Sequence, residues 1–449
     1  MADLKKVSVR ELKSSMLIRS FIGFSKKYKP VDNQTSKWLM LNFRGTKSII
    51  KRNGKKYAIP IEKLCEGDTL LKIFQFPKEL NKLVKVTPKL AAVLNKNGFV
   101  HFEVQFLKSA VNKVSPAQIR HKKQVKEAEI FIEAVGKSVE ARDDATLAIE
   151  DLMDSTRSGN INIKLLDEMV SQFADNAAAE AISAVASLKK SDQTYAHCVD
   201  VGAIFQTVYL KLVEKKLVTS KFEDEAEMLM GAFLHDFGKS KIPKDILDSN
   251  ERFELDSREM KLMRQHPEFS ASILDRMMMS KETIDMALYH HVKMDTNLVS
   301  SYPKVESYEK LSIETKLLAI VDIYQALVGR RSYKKSWAPP SAIRFIDGLA
   351  GIEHDPDVWE AFYNVMGQYP VGSLVELNDG SLAFVMSVSE SDLSRPRVVV
   401  VRSSAGEDIT HHSLFDLREQ KEISIRKGID HMEIFGDDSI NVFSNLKVS

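Results

Sequence analysis

The residues best suited to chemistry lie in the second half of the chain, and most are histidines and aspartates. His235 and Asp236 are adjacent in GAFLHDFGK, at the end of an apolar helical run. Gly238 stands where a helix C-cap is expected, with Lys239 beyond it. The pair brings an imidazole and a carboxylate to one point, and a carboxylate can bridge two cations through its two oxygens. Lys239 follows Asp236 by three residues, so it can share the same side of the chain and reach a phosphate. Four further residues or pairs add to this signal. His197 opens an apolar helix in YAHCVDVGAIF, and His266 precedes Pro267 at another helix start, QHPEFSASIL. His290 and His291 close the apolar helix of MALYHH. Asp322 lies inside KLLAIVDIYQALV, an otherwise apolar helix, where a buried carboxylate needs a cation or strong hydrogen bonds.

Taken singly, each has an ordinary explanation: a satisfied core histidine, a helix-start residue, a carboxylate paired with arginine. Taken together, five of the 11 histidines and two aspartates fall within about 125 residues. That donor set suffices for two octahedral metal ions with room for water. Imidazole with carboxylate suits iron, manganese, zinc and similar metals.

The elements that must position these residues are helical across 191–365, where apolar residues recur at helical spacing. Upstream, a helical run from about Pro116 is broken at Ser158-Gly159-Asn160, and a second runs from Ile163 to Leu188. These connectors could pair between protomers of a homodimer or pack within one chain. Residues 1–110 read as mostly β, from runs such as KVSV, KSII and KYAIPI set between turn signals. A weak internal echo relates Val7-Ser8-Val9, Leu12 and Met16-Leu17-Ile18 to Ile59-Pro60-Ile61, Leu64 and Thr69-Leu70-Leu71, each copy reading strand, turn, strand. After Pro370, SLVEL, SLAFVMSV and RPRVVVV read as strands, with Asn-Asp-Gly as a hairpin turn. From about Arg426 the sequence gives no clear signal.

The 449 residues therefore read as a multidomain α+β chain. A basic β-rich regulatory domain (1–115) precedes a helical linker (116–190), an all-α domain (191–365) and a small β-rich domain (366–449). Residues 1–115 hold 24 Lys/Arg against 8 Asp/Glu, a balance of +16 that the rest of the chain, at −14, nearly cancels. The aromatic residues there do not alternate with the basic ones, so no nucleic-acid platform is expected. The two cysteines, Cys65 and Cys198, suggest no disulfide framework. No apolar run is long enough for a membrane span, and MADLKKVSVR has no apolar leader, so a cytoplasmic location is expected.

The order H…HDxGK…H…HH…D, with LKKSDQTYAH, AFLHDFGKSKIP, QHPEFSASIL and LLAIVDIYQALVGRRSYKK around it, resembles the HD-GYP subfamily of HD phosphohydrolases. The segment YPVGSLVELNDGSLAFVMSV is similar to the β segment that commonly follows that domain, and KKVSVRELKSSMLI, more loosely, to a small domain that often precedes it. The resemblance implies a helical, metal-dependent phosphodiesterase that hydrolyses cyclic di-GMP to pGpG, GMP or both, through hydroxide activated by two divalent ions, usually iron or manganese. It implies one ion on His197, His235, Asp236 and Asp322, and another on Asp236, His266, His290 and His291. Lys239, Arg331 and Lys334 would contact the substrate phosphate. Cyclic di-GMP or a related cyclic dinucleotide is the implied ligand, and signalling proteins such as diguanylate cyclases are implied partners.

The sequence also departs from the family pattern HHE-x-x-D-G-x-G-Y-P. It reads His290-His291-Val292-Lys293-Met294-Asp295, then reaches Tyr302-Pro303 without either glycine and with three extra residues. The family's D-x-x-D becomes Asp322-x-x-Gln325. Gln193 stands where members with a third metal carry Glu, so two ions are expected rather than three. The rewritten loop leaves two readings: an active phosphodiesterase, or a weak or inactive protein that binds a cyclic dinucleotide or partner proteins as a signalling scaffold.

Overall fold

The computed structural model describes residues 4–13, 16–24, 33–42, 47–73, 84–85, 99–106, 116–159, 163–176, 178–188, 194–247, 253–329 and 336–449, with residues 92 and 249. The chain divides into two compact units, Met1–His121 and Lys122–Ser449. Among the described residues, no helix is long and apolar enough to cross a membrane.

The first unit holds β1 (Leu4–Ser8), β2 (Met16–Phe24), α1 (Asn33–Asn42), β3 (Lys47–Arg52), β4 (Lys55–Pro60), β5 (Thr69–Ile73), β6 (Val84–Lys85) and β7 (Phe99–Phe106). Its sheets run β1-β7-β2-β6 and β4-β3-β5. The internal echo has a structural counterpart. In one copy β1 leads through a 3-10 turn, Val9–Glu11, into β2; in the other, β4 leads through Ile61–Lys63 into β5. In each copy the two strands flank a third, β7 or β3, and pair with it antiparallel. Both copies bury apolar side chains, Val7, Met16 and Ile18 in one and Ile61, Leu64 and Leu70 in the other, though not at matching positions. Arg52 grips Asp68 through Nε at 2.6 Å and Nη2 at 2.7 Å and so pins the second copy's turn.

Helix α2 (Pro116–Arg157) begins in the first unit and continues into the second; it is started by a proline whose missing N–H costs nothing at a helix N-terminus. Then follow α3 (Ile163–Asn176) and α4 (Ala179–Leu188). The second connector is thus two helices rather than the single run expected to Leu188. Their faces differ: α3 buries one stripe (Leu166, Met169, Val170, Phe173), whereas α4 is buried on every side from Ala181 to Leu188.

The remaining helices are α5 (Thr194–Glu214), α6 (Glu225–Phe233), α7 (Lys244–Leu247), α8 (Arg258–Met263), α9 (His266–Arg276), α10 (Lys281–Tyr289), α11 (Ile313–Val328), α12 (Pro339–Asp347) and α13 (Pro356–Met366). Side-chain caps fix several starts: backbone N–H groups of Glu227, Met260, Thr283 and Thr315 donate to Asp224, Ser257, Ser280 and Ser312. α5 and α11 form the middle of the core through Val201, Ile204, Phe205, Leu317, Ile320 and Tyr324, all buried. Each such side chain contributes about 1.5–3 kcal/mol of burial.

A five-stranded antiparallel sheet follows, ordered β11-β10-β9-β8-β12. It comprises β8 (Leu374–Leu377), β9 (Leu382–Ser387), β10 (Arg397–Arg402), β11 (Leu414–Asp416) and β12 (Ile425–Ile429). The segment after Arg426 is ordered after all. β12 pairs with β8, and α14 (His431–Phe435) and α15 (Ser439–Ser444) follow. His431 is fixed there between Ser439 Oγ at 2.8 Å and Ser187 O at 2.9 Å. The chain is thus multidomain α+β, helical in the middle with sheets towards both ends.

Candidate metal centre

Helices deliver the histidines and aspartates to one buried point. His197 projects from the first turn of α5, Asp322 from the middle of α11, and His266 opens α9. His290 caps the C-terminus of α10, with His291 next to it. His235 and Asp236 follow α6, in the turn before a short 3-10 helix, Phe237–Lys241. All are buried except His291, which is half-buried.

Asp236 lies at the centre. Its Oδ1 is 3.0 Å from His266 Nε2 and 3.8 Å from His290 Nε2. Its Oδ2 is 3.6 Å from both His197 Nε2 and His235 Nε2. Each oxygen therefore faces a different pair of imidazoles. Asp322 Oδ1 joins the second group, 3.0 Å from His197 Nε2 and 4.0 Å from His235 Nε2, while its Oδ2 is 3.9 Å from His291 Nδ1. Two donor sets result, Asp236 with His266, His290 and His291, and Asp236 with His197 and His235, each with its ligand atoms within 4.8 Å of one another. Cis ligands of one octahedral ion, bonded at about 2.1 Å, stand about 3 Å apart.

The hydrogen bonds around the rings show what these atoms need. His235, His266 and His290 direct Nδ1 to the carbonyl three residues earlier: Ala232 at 2.7 Å, Met263 at 2.7 Å and Ala287 at 2.8 Å. Only a protonated Nδ1 can make that bond, so in the neutral ring Nε2 carries a lone pair aimed inwards. His266 and His290 Nε2 then face each other at 3.3 Å as two acceptors. His235 Nε2 and Asp236 Oδ1 are buried without a hydrogen-bond partner. A cluster of buried acceptors with no donor among them fits metal ions.

The electrostatics agree. Burial first, then neighbouring imidazoles, pushes His290 down to about 3 and His291 well below the usual histidine range. Burial also lowers His235. Burial alone would raise Asp236, but Lys239 beside it outweighs burial and holds the carboxyl well below its ordinary value. Asp322, with His197 beside it, is likewise held well below its ordinary value despite burial. Neutral imidazoles and ionised carboxylates are the forms that ligate metals.

At the rim, Lys239 Nζ is hydrogen-bonded to Asp236 Oδ2. Tyr302 lies against His291, ring centroids 4.8 Å apart, and the Arg264 guanidinium sits 5.4 Å over the other aromatic centroid, that of Tyr302. The rewritten loop is stitched to neighbouring backbone: Met294 N–H donates to Glu353 O at 3.0 Å and Asp295 N–H to Ile352 O at 2.9 Å. Lys293 is buried and paired with Glu353 at 3.1 Å. Arg331, Lys334 and Gln193 lie outside the described residues.

One expectation changes. Gly238 is not a helix C-cap, because α6 already ends at Phe233 with Leu234 as its cap. Gly238 lets α9 approach: an added Cβ would lie 2.0 Å from His266 O and 2.4 Å from Ser270 N. The approach is bonded on both sides, Gly238 N–H donating to Ser270 Oγ at 2.7 Å and Ser270 Oγ to His235 O at 2.9 Å. Sequence reading also missed Arg264, Asp200 and Arg142. Asp200 carried the same signal as Asp322, a carboxylate within an apolar helix.

Comparison with known proteins fits this geometry. Residues 180–358 match the HD domain family, and residues 374–436 match a KOW domain associated with HD domain. A cyclic di-GMP phosphodiesterase of Pseudomonas aeruginosa is 34% identical over 226 residues, 50% of this chain and 52% of that protein. The cyclic di-GMP phosphodiesterase PdeB of Borreliella burgdorferi is 27% identical over 172 residues, 38% of this chain and 44% of that protein. A 3'3'-cGAMP-specific phosphodiesterase of Vibrio cholerae is 30% identical over 184 residues, 38% of this chain and 34% of that protein. The chain spans about half the length, or less, of these curated relatives. The chain carries an HD domain and is similar to curated cyclic di-GMP phosphodiesterases.

Proposed function

We propose that the protein is a metal-dependent phosphodiesterase acting on cyclic di-GMP and releasing pGpG, GMP or both. The observation that carries this reading is the division of Asp236, with Oδ1 towards His266 and His290 and Oδ2 towards His197 and His235. Asp236 would bridge two divalent ions, iron or manganese. His197, His235 and Asp322 complete one set, and His266, His290 and His291 the other. Such ions, when bound, supply Lewis acidity and bring the pKa of water towards neutrality. The protein's own part is to hold His235, His290 and His291 neutral, exclude bulk water and place cations around the phosphate. Lys239 would act as a point charge, and Arg331 with Lys334 would grip phosphoryl oxygens as charge builds on them. Residues 1–115 would form a regulatory domain and 116–190 a linker to the phosphohydrolase domain at 191–365, in a cytoplasmic protein.

The test is turnover after anaerobic loading with iron or manganese, with metal content measured on the same sample and products separated by chromatography. Conversion of cyclic di-GMP, lost in His235→Ala and Asp236→Ala, is expected. Full metal occupancy without hydrolysis would overturn it. A panel including 3'3'-cGAMP separates a change of substrate from a loss of activity. The stitching of the rewritten loop to Ile352 and Glu353 favours a second reading, a scaffold that binds the dinucleotide without turnover. Calorimetric binding with no product supports that alternative.

A further inference from the structure

Among the imidazoles around Asp236, His235, His266 and His290 are oriented by backbone carbonyls of their own turns, but His197 is oriented by a side chain. Its Nδ1 is bonded to Gln325 Oε1, from α11. Gln325 Nε2 in turn donates to Asp200 Oδ2 at 3.3 Å. Arg142, on α2, grips Asp200 through Nε at 2.7 Å and Nη2 at 2.9 Å. Arg142, Asp200 and Gln325 are all buried, at 2%, 1% and 4% exposure, so the bonds compete with little water.

The order of donors follows from chemistry. An ionised carboxylate only accepts, so Gln325 must turn its NH2 group towards Asp200 and its oxygen towards His197. An oxygen there requires the proton on His197 Nδ1, which leaves Nε2 free to ligate. With Asp200 removed, the amide can turn over, present its NH2 group to Nδ1 and favour the tautomer that cannot ligate.

We propose that Arg142, Asp200 and Gln325 are positioning residues that lock His197 into its metal-binding tautomer, so that helix α2 sets the metal affinity of the His197 half of the centre. The inference rests on the metal-centre reading but not on any particular substrate. It also gives a role to the Gln that stands at position 325.

The experiment is a Mn2+ titration of the metal-free full chain by calorimetry, with free Mn2+ followed by its paramagnetic resonance signal. The wild type is expected to take two ions, and His197→Ala identifies the binding phase that depends on His197. Arg142→Leu/Asp200→Leu removes the buried pair together, leaving no stranded charge, which is often tolerated. Gln325→Leu breaks the relay without touching the ion pair and carries the test if the double variant does not fold. Both variants should weaken the His197 phase by about 10–100-fold and leave the other phase unchanged. Unchanged affinity of both phases in folded variants overturns the proposal. A wild type that binds no metal overturns the metal-centre reading and the proposal with it. The expected titrations together with no hydrolysis of cyclic di-GMP support the proposal and overturn only the enzymatic reading.

Discussion

Asp236 Oδ1 and His266 Nε2 lie 3.0 Å apart, and neither supplies a proton to the other. His266 spends its one proton on Met263 O through Nδ1, and Asp236, flanked by Lys239, is held ionised. The contact sets two lone pairs against each other in a buried site, an arrangement that a cation between them turns from repulsive to cohesive. The fold is thereby coupled to the metal. At about 100 times its dissociation constant, a bound ion stabilises by about 2.7 kcal/mol. Chelation of the loaded protein should lower its thermal midpoint by several degrees, and Asp236→Asn should abolish the difference between loaded and metal-free protein. Scanning calorimetry of all four samples checks this, and equal midpoints for loaded and chelated wild type would rule it out.

Gly238 makes a second prediction. Gly238→Ala would put a methyl group against backbone atoms of His266 and Ser270, which cannot swing aside as a side chain could. Either the 3-10 helix or α9 must move, and His266 moves with α9. We expect a loss of about 2–3 kcal/mol in urea unfolding, together with weaker metal binding. Unfolding without metal separates the packing cost from the metal's contribution, and a variant as stable as wild type would contradict the packing account.

Arg264 has no role in the metal sets, yet its guanidinium sits over Tyr302, which itself lies on His291. A half-buried cation at that rim suits an anionic substrate. Arg264→Met keeps much of the stem's packing while removing the charge, so KM for a cyclic dinucleotide should rise several-fold with little change in kcat. Steady-state kinetics at two salt concentrations test this, and the mutant should lose part of the wild type's salt dependence. An equal fall in kcat with unchanged KM would place Arg264 elsewhere in the reaction.

How much of this was legible in the sequence depended on residue type and reach. His197, His235, Asp236, His266, His290, His291 and Asp322 were visible because ligation needs those residue types, and an aspartate inside the apolar run at 322 is conspicuous by its cost. The strand–turn–strand echo at 7–18 and 59–71 was visible because apolar residue types recur there in the same order, and each copy folds as strand, 3-10 turn, strand. Arg142 was not, since its partner Asp200 lies 58 residues away and nothing local marks the pairing. The role of Gly238 was misread for the same reason, because the backbone it admits comes from α9, 32 residues on. The strand at Ile425–Ile429 was missed because IRKGI has few apolar residues, and its place is set by pairing with β8.

The last prediction concerns pH. Burial pushes His290 and His354 down to about 3, with His235 and His291 lowered as well. In the unfolded chain a histidine takes up a proton near pH 6.5. Between that value and the folded one, unfolding binds protons, so the metal-free protein keeps its full stability above about pH 6.5 and loses it as pH falls. Each such group contributes about 1.4 kcal/mol per pH unit in that window. Asp236 and Asp322 act in a different range. Their folded values lie below the ordinary carboxylate value, so their contribution persists down to about pH 4 and fades only below it. The lowered histidines, with His412 among them, therefore drive the fall between pH 6.5 and 4, while Asp200, raised by burial, works in the opposite sense. His354 lies outside the metal sets, lowered by burial and then by Lys293, and so isolates one share of the slope. Urea midpoints of chelated wild type should drop steadily from pH 7 to pH 5, and His354→Gln should flatten that drop by about one histidine's part. A midpoint independent of pH over this range would show that these imidazoles are not held neutral by the fold.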